Sequence, residues 1–128
     1  MKYILLLLMS VILLNAQKNE PVIDKQQHLM WNIYTQETNT DLQFPWKFGK
    51  SYCDNSYKYG YDDWRLPTPQ ELQTSIKNGI LKNIRPGSYW TSSPDPKDPE
   101  DNVLSVYSSN GYISATDICD DAYSLCVR

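Results

Sequence analysis

The ten residues Asp63-Trp64-Arg65-Leu66-Pro67-Thr68-Pro69-Gln70-Glu71-Leu72 constrain this chain more than any other segment, because they encode a change from extended to helical backbone. Thr68 is an N-cap by type, Pro69 stands where a missing N–H is harmless, and Glu71 can reach back to the Thr68 N–H and close a capping box. Pro67 drives Leu66 toward extended geometry, so Trp64 and Arg65 lie on a rigid lead-in. A helix is then predicted from Pro69 to about Lys77, with Leu72 and Ile76 one turn apart and Asn78-Gly79 as its stop. Arg65 is expected to pair internally with an acid such as Asp63. Asp63, Trp64, Arg65, Thr68 and Glu71 are therefore assigned to the frame.

An earlier helix is predicted from about Pro45 to Asn55, where Trp46, Gly49 and Cys53 share one face and Phe48 and Tyr52 an adjoining stripe. Gly49 weakens such a helix by ~1 kcal/mol relative to Ala, which predicts a close packing neighbour. Strands are predicted at His28–Tyr34, Tyr89–Ser93, Val103–Tyr107, Tyr112–Ala115 and Ser124–Val127. Ser108-Ser109-Asn110-Gly111 reads as a hairpin turn, because Asn-Gly accepts positive φ. Thr35–Asp41 and Ser93–Asn102 read as polar loops and Tyr57–Asp62 as a turn. Trp31, Trp46, Trp64 and Trp90 fall inside elements and are expected in the core. Tyr57, Tyr59, Tyr61 and Tyr112 fall in turns, where they are available for binding.

Much of the aliphatic content sits in one block, Ile4–Leu14, preceded by Lys2. A charged start, a run shorter than the ~20 residues that span a bilayer and the small residue Ala16 predict a signal peptide over residues 1–16. Residues 17–25 then read as a flexible tether, with order beginning near Gln26 and one domain over 26–128. Loss of Lys2 takes the formal charge from −3 to −4. That acidity opposes nucleic acid, and no stable membrane span is expected after cleavage. Lys47, Lys50 and Lys58 read as a solvated face. The expected location is the periplasm or the exterior, where disulfides persist. Cys53, Cys119 and Cys126 leave one thiol over. A Cys53–Cys126 loop would contribute about 4 kcal/mol and a Cys119–Cys126 loop about 2, and energy alone does not choose between them.

Little in the chain points to catalysis. His28 is the only histidine, so a histidine-based general base or zinc site has little to build on. Cys119 stands among Asp117, Asp120 and Asp121, which disfavour a thiolate. Asp95, Asp98, Glu100, Asp101 and Asn102 make an oxygen-rich loop of the kind calcium uses, but their spacing matches no EF-hand. A solvated acidic loop is favoured over a calcium site, so no cofactor or metal is expected.

In order, Leu29-Met30-Trp31, Trp46, Tyr52-Cys53, Gly60, Asp63-Trp64-Arg65-Leu66-Pro67-Thr68 with Glu71-Leu72, Tyr89-Trp90-Thr91-Ser92-Ser93 and Cys126-Val127-Arg128 resemble the family of the C-terminal domain of the Legionella collagen-like adhesin. The resemblance covers Leu29–Arg128. It implies an α+β, C-type-lectin-like fold with a small twisted antiparallel sheet and two helices. It also implies a Cys53–Cys126 disulfide with Cys119 free, and no catalytic residues. The namesake binds sulfated glycans through a basic, trimeric surface. This chain is acidic and has no collagen-like repeat, so neither property carries over. The calcium triplets Trp-Asn-Asp and Glu-Pro-Asn of lectins are also missing.

The resulting expectation is an exported, non-enzymatic binding module for a glycan or an envelope protein. Its surface is placed on the Ser93–Asn102 loop and the hairpin, with Asp95, Asp98, Asp101, Tyr107 and Tyr112 as the candidate residues. A structural or assembly component of the bacterial envelope is the alternative. An enzyme of the related sulfatase-modifying type would require an exposed, reactive Cys119.

Overall fold

A computed structural model describes residues 20–33 and 42–128. The expected signal peptide, the first part of the expected tether and the Thr35–Asp41 loop lie outside the described residues. Order begins earlier than Gln26. Val22–Asp24 forms strand β1, pairing antiparallel with β2, Leu29–Asn32, in the register Val22 to Trp31 and Asp24 to Leu29. The polar composition of residues 17–25 hides this strand, whose last residue, Asp24, is fully buried. The two strands are joined by a turn in which His28 takes a left-handed backbone, φ 56°, and is exposed.

Helix α1 spans Trp46–Asp54 and α2 spans Pro69–Lys77, within a residue of the sequence expectation at both ends. Strands β3 (Ser88–Pro94), β4 (Asn102–Tyr107) and β5 (Ile113–Asp117) follow, and β6 (Cys126–Val127) closes the fold. This is an α+β architecture, but the single expected sheet is divided into two antiparallel three-stranded sheets, ordered β1-β2-β6 and β3-β4-β5. Tyr123, on the segment leading into β6, bridges Tyr89 of β3 and accepts the Trp90 N–H through its carbonyl at 2.9 Å.

The capping box forms as expected. Glu71 N donates to Thr68 Oγ1 at 3.1 Å and Thr68 N to Glu71 Oε1 at 2.8 Å. Arg65 pairs with an internal acid as expected, but that acid is Glu71 and not Asp63. Its guanidinium grips both oxygens of Glu71, at 2.8 and 2.9 Å, while Asp63 is held by Arg128, whose guanidinium also covers the Tyr61 ring at 3.7 Å. The reason is directional. Arg65 pairs its backbone with Val127 in both directions, which leaves its side chain beside the start of α2.

Two apolar clusters make the core. Leu29, Trp31, Leu72, Tyr89, Val106, Leu125 and Val127 pack between the first sheet, α2 and β3–β4. Trp64, Leu66, Trp90, Val103 and the Cys53–Cys126 disulfide pack beside α1. The disulfide confirms the pairing that the resemblance implies, with 5.3 Å between Cα atoms, and leaves Cys119 free and exposed. Trp31, Trp64 and Trp90 are buried and Trp46 partly so, and each indole N–H has an acceptor: Ser75 Oγ, Lys58 O, Phe44 O and Thr91 O respectively. Such pairing is what allows an indole to be placed in a core. Gly49 has the close neighbour its sequence position predicts, since a Cβ there would collide with Ser124 Oγ.

Candidate binding surface

The candidate residues of the sequence reading do not converge. Asp95 closes the β3–β4 turn. It is nearly buried, its Oδ1 accepts the Lys97 N–H at 3.1 Å, and its own N–H donates to Asn102 O at 2.9 Å. Asp98 continues the turn, donating to Asp95 O and accepting from Asn102 N through its carbonyl. Asp101 is exposed, and its carbonyl ties the loop to Ile118. Tyr107 and Tyr112 are exposed at the β4–β5 hairpin, where Tyr107 N donates to Tyr112 O at 2.9 Å. The length of β4, about 17 Å at the usual strand rise, separates the acids from the tyrosines.

The acids do gain new company. Asn102 pairs with Asp117 across β4–β5, so the 95–101 loop lies beside the turn carrying Asp117, Cys119, Asp120 and Asp121. One end of the domain is therefore acidic. Among the described residues, no three His, Cys, Asp or Glu side chains are arranged to hold a metal ion. Cys119 is exposed there, its N–H donating to Asp117 Oδ1 at 2.8 Å, and His28 belongs to the distant β1–β2 turn of the other sheet.

A shallow aromatic cleft on α1 is a surface that sequence reasoning did not select. Phe44, Phe48 and Tyr52 project from the outer side of α1 and the residues before it, at 40%, 65% and 47% exposure. With Ser51, Asn55 and Ser56 they line a shallow cleft of about 470 Å³. The signal was the spacing of four between Phe48 and Tyr52, which stacks the two side chains along one helical stripe, while Phe44 precedes the helix on backbone bridged to Ala122. Gly49 and Cys53, on the adjoining stripe of α1, are buried, while Phe48 and Tyr52 stay exposed.

The backbone beneath these rings is fixed at several points. Phe44 N donates to Ala122 O at 2.9 Å, Ala122 N returns a bond to Phe44 O at 3.1 Å, and Trp46 N donates to Ile118 O at 3.1 Å. Trp90 Nε1 adds a second bond to Phe44 O at 2.7 Å. The disulfide anchors the far end of α1 through Cys53. Phe44 and Phe48 stand 6.4 Å apart between ring centroids, tilted by 42°. None of the six lining side chains is charged, and the acidic turn ending at Asp121 adjoins the Phe44 end through Ala122.

The perturbed titrations lie elsewhere and serve the frame. Burial pushes the Asp24 carboxyl up, but hydrogen bonds from Gln27, Ser75 and Asn78 overcome this and hold it well below the usual carboxylate range. Arg65 lowers Glu71 by hydrogen bonding, and Arg128 does the same to Asp63. Burial raises the Tyr89 phenol, whose OH donates to Arg85 O at 2.8 Å. Among the described residues, no helix is long and apolar enough to cross a membrane.

No curated protein matches the chain. The family model described as the Lcl C-terminal domain matches residues 20–128, a span that takes in β1 and every later element of the fold. With its two helices, its small antiparallel sheets and the Cys53–Cys126 bridge all inside that span, the chain belongs to the Lcl C-terminal domain family.

Proposed function

We propose that this chain is an exported, non-enzymatic binding module that holds its ligand against the Phe44–Phe48–Tyr52 face. The observation that carries the reading is a contrast in aromatic placement. Three tryptophans are buried and the fourth partly so, each indole N–H paired, yet three other large aromatics are presented together around an uncharged cleft. Contiguous exposed apolar surface of this kind marks interaction sites. Rigid backbone under the rings reduces the ordering that binding would otherwise require.

Membership of an adhesin-associated family supports a binding role. A buried disulfide suits an oxidising compartment outside the cytoplasm. The non-enzymatic reading rests on how the shifted carboxylates are used. Asp24, Asp63 and Glu71 are all engaged by internal donors that position secondary structure.

The test compares the purified wild-type chain with Phe48→Ala on an array of glycans and immobilised envelope fractions. Phe48→Ala should abolish capture while leaving the melting temperature unchanged, because the ring is mostly exposed. Asp98→Asn/Asp101→Asn and Tyr112→Ala serve as comparators. Loss of capture in either comparator, with Phe48→Ala unaffected, would move the site to one end of β4. An envelope-assembly component would instead retain its partners in all three variants.

A further inference from the structure

We infer that two copies of this chain pair through β5, strand against strand and antiparallel about Ala115, so that their β3-β4-β5 sheets run on as one. The inference is independent of the α1 face. It stands on the backbone, the sequence of the strand and the charges at its two ends.

The outer edge of β5 holds an unused row of peptide groups. Tyr107 N donates to Tyr112 O and Ile118 N to Asp101 O, which fixes the alternation of bonds between β4 and β5. Ser114, Thr116 and Ile118 therefore turn their N–H groups toward β4, while Ile113, Ala115 and Asp117 turn theirs outward. Among the described residues, no strand or isolated bridge lies along that edge.

The edge is also unguarded. Exposed edges are ordinarily blunted by proline, lysine, a bulge or extreme shortness. β1 has three residues and is flanked by Pro21 and Lys25. β3 carries a register shift, ends at Pro94 and is met by Tyr123. β5 keeps unbroken register over its five residues, has neither proline nor lysine, and places the small, exposed Ala115 at its centre.

The strand is complementary to itself. A two-fold axis through Ala115 sets that residue opposite its own copy, Ile113 opposite Asp117 and Ser114 opposite Thr116. Because Ile113, Ala115 and Asp117 all present outward groups, this register makes about six backbone bonds. Ser114 and Thr116 already form a hydroxyl row with Ser105, at 3.4 and 2.7 Å, and the row continues across the axis as Ser–Thr pairs.

Charge selects the antiparallel arrangement. At one end of β5, exposed Lys77 lies over Gly111, with its Cε 3.3 Å from where a Cβ would stand. At the other end, Asp117, Asp120 and Asp121 are exposed. Antiparallel pairing brings Lys77 of each copy toward the acidic turn of the other and keeps the two acidic ends apart. Parallel pairing would put those acids together, in a chain whose formal charge is already −3.

The experiment follows the full-length chain, purified after export, by sedimentation velocity across a range of concentrations. A monomer–dimer equilibrium should appear with a dissociation constant on the order of 10–100 μM, as suits a small interface. Ala115→Pro removes an outward N–H and none directed at β4, and Ala115→Lys sets two cations against each other across the axis. Each should weaken pairing about tenfold or more, with the melting temperature little changed. Lys77→Glu should weaken it several-fold, and adding Asp120→Lys should restore it. Register is read by crosslinking with oxidised glutathione in a Cys119→Ser background. Ala115→Cys should give a covalent dimer, because directly opposed residues stand ~5.5 Å apart between Cα atoms, within disulfide reach. Asp117→Cys, off the axis, should not.

A chain that stays monomeric throughout the range overturns the inference. So does a dimer that survives both Ala115→Pro and Ala115→Lys. A dimer lost on Cys119→Ser would be a disulfide between exposed thiols and not a paired edge, and it too overturns the reading. Equal crosslinking at positions 115 and 117 overturns the register.

Discussion

Replacing Asp24 by Asn tests whether the first strand is an integral part of the domain. The Asp24 carboxylate is sealed from solvent although it lies in an edge strand. Its Oδ1 accepts the N–H groups of Gln26 and Gln27 at 3.0 and 3.1 Å. Its Oδ2 accepts Gln27 Nε2 and Asn78 Nδ2, both at 3.0 Å, and the Ser75 hydroxyl. An amide has one oxygen, so whichever way Asn is oriented at least two donors lose their acceptor and the others lose the charge. Each lost or uncompensated bond of this kind costs about 1–3 kcal/mol, and the exposed Gln26 and Asn78 recover part of it from water. A net loss of about 2–4 kcal/mol follows, a large fraction of the ~5–15 kcal/mol that a domain possesses.

Urea unfolding at several pH values measures it. The folded carboxyl titrates below its unfolded value, so its contribution is complete above about pH 4 and disappears as pH falls through the folded value. The gap between wild type and Asp24→Asn should therefore be constant from pH 7 to about 4 and narrow below that. A variant within about 0.5 kcal/mol of wild type at pH 7, or a gap that does not narrow in acid, would refute the reasoning.

Three further perturbations follow from the frame. Cys53→Ala/Cys126→Ala should lose about 4 kcal/mol, given the 73-residue separation, read as a lower urea midpoint. Gly49→Ala should destabilise by calorimetry despite the ~1 kcal/mol helix-propensity gain, because the new methyl meets Ser124 Oγ; adding Ser124→Gly should restore much of the loss. Thr68→Ala should cost about 1 kcal/mol in chemical denaturation by removing the acceptor for Glu71 N, with α2 fraying first in hydrogen exchange.

Local backbone chemistry was legible in the residues, and long-range pairing was not. Thr68, Pro69 and Glu71 act within one turn of each other, so the start of α2 follows from their types alone. The hairpin at Asn110-Gly111 is equally local, with Gly111 at φ 73°. The partner of Arg65 was misplaced because nearness in sequence favours Asp63. The pairing of Arg65 with Val127, sixty-two positions away, decides where the side chain points. β1 was read as a tether because a polar segment with one isoleucine and one valine does not announce a strand. What orders it is Ser75 and Asn78 on a distant helix. The proposed face was half legible: the spacing of Phe48 and Tyr52 marked a stripe, but only the exposure of both rings in the folded chain shows that it faces outward.

The last three residues of the domain hold a position that governs when it can fold. Val127 completes the first sheet against Trp31, Met30 exchanges backbone bonds with Arg128, and Cys126 carries the disulfide. During synthesis, β1 and β2 emerge first yet remain a two-stranded hairpin until residues 126–128 arrive, and an isolated hairpin is marginal in water. Closing that sheet joins segments nearly a hundred residues apart, an entropic cost that comes before any of its contacts are made. The native core therefore assembles only after the whole domain has left the ribosome. Truncation by even a few residues at the far end should be felt first at the near end, as loss of protection in β1 and β2.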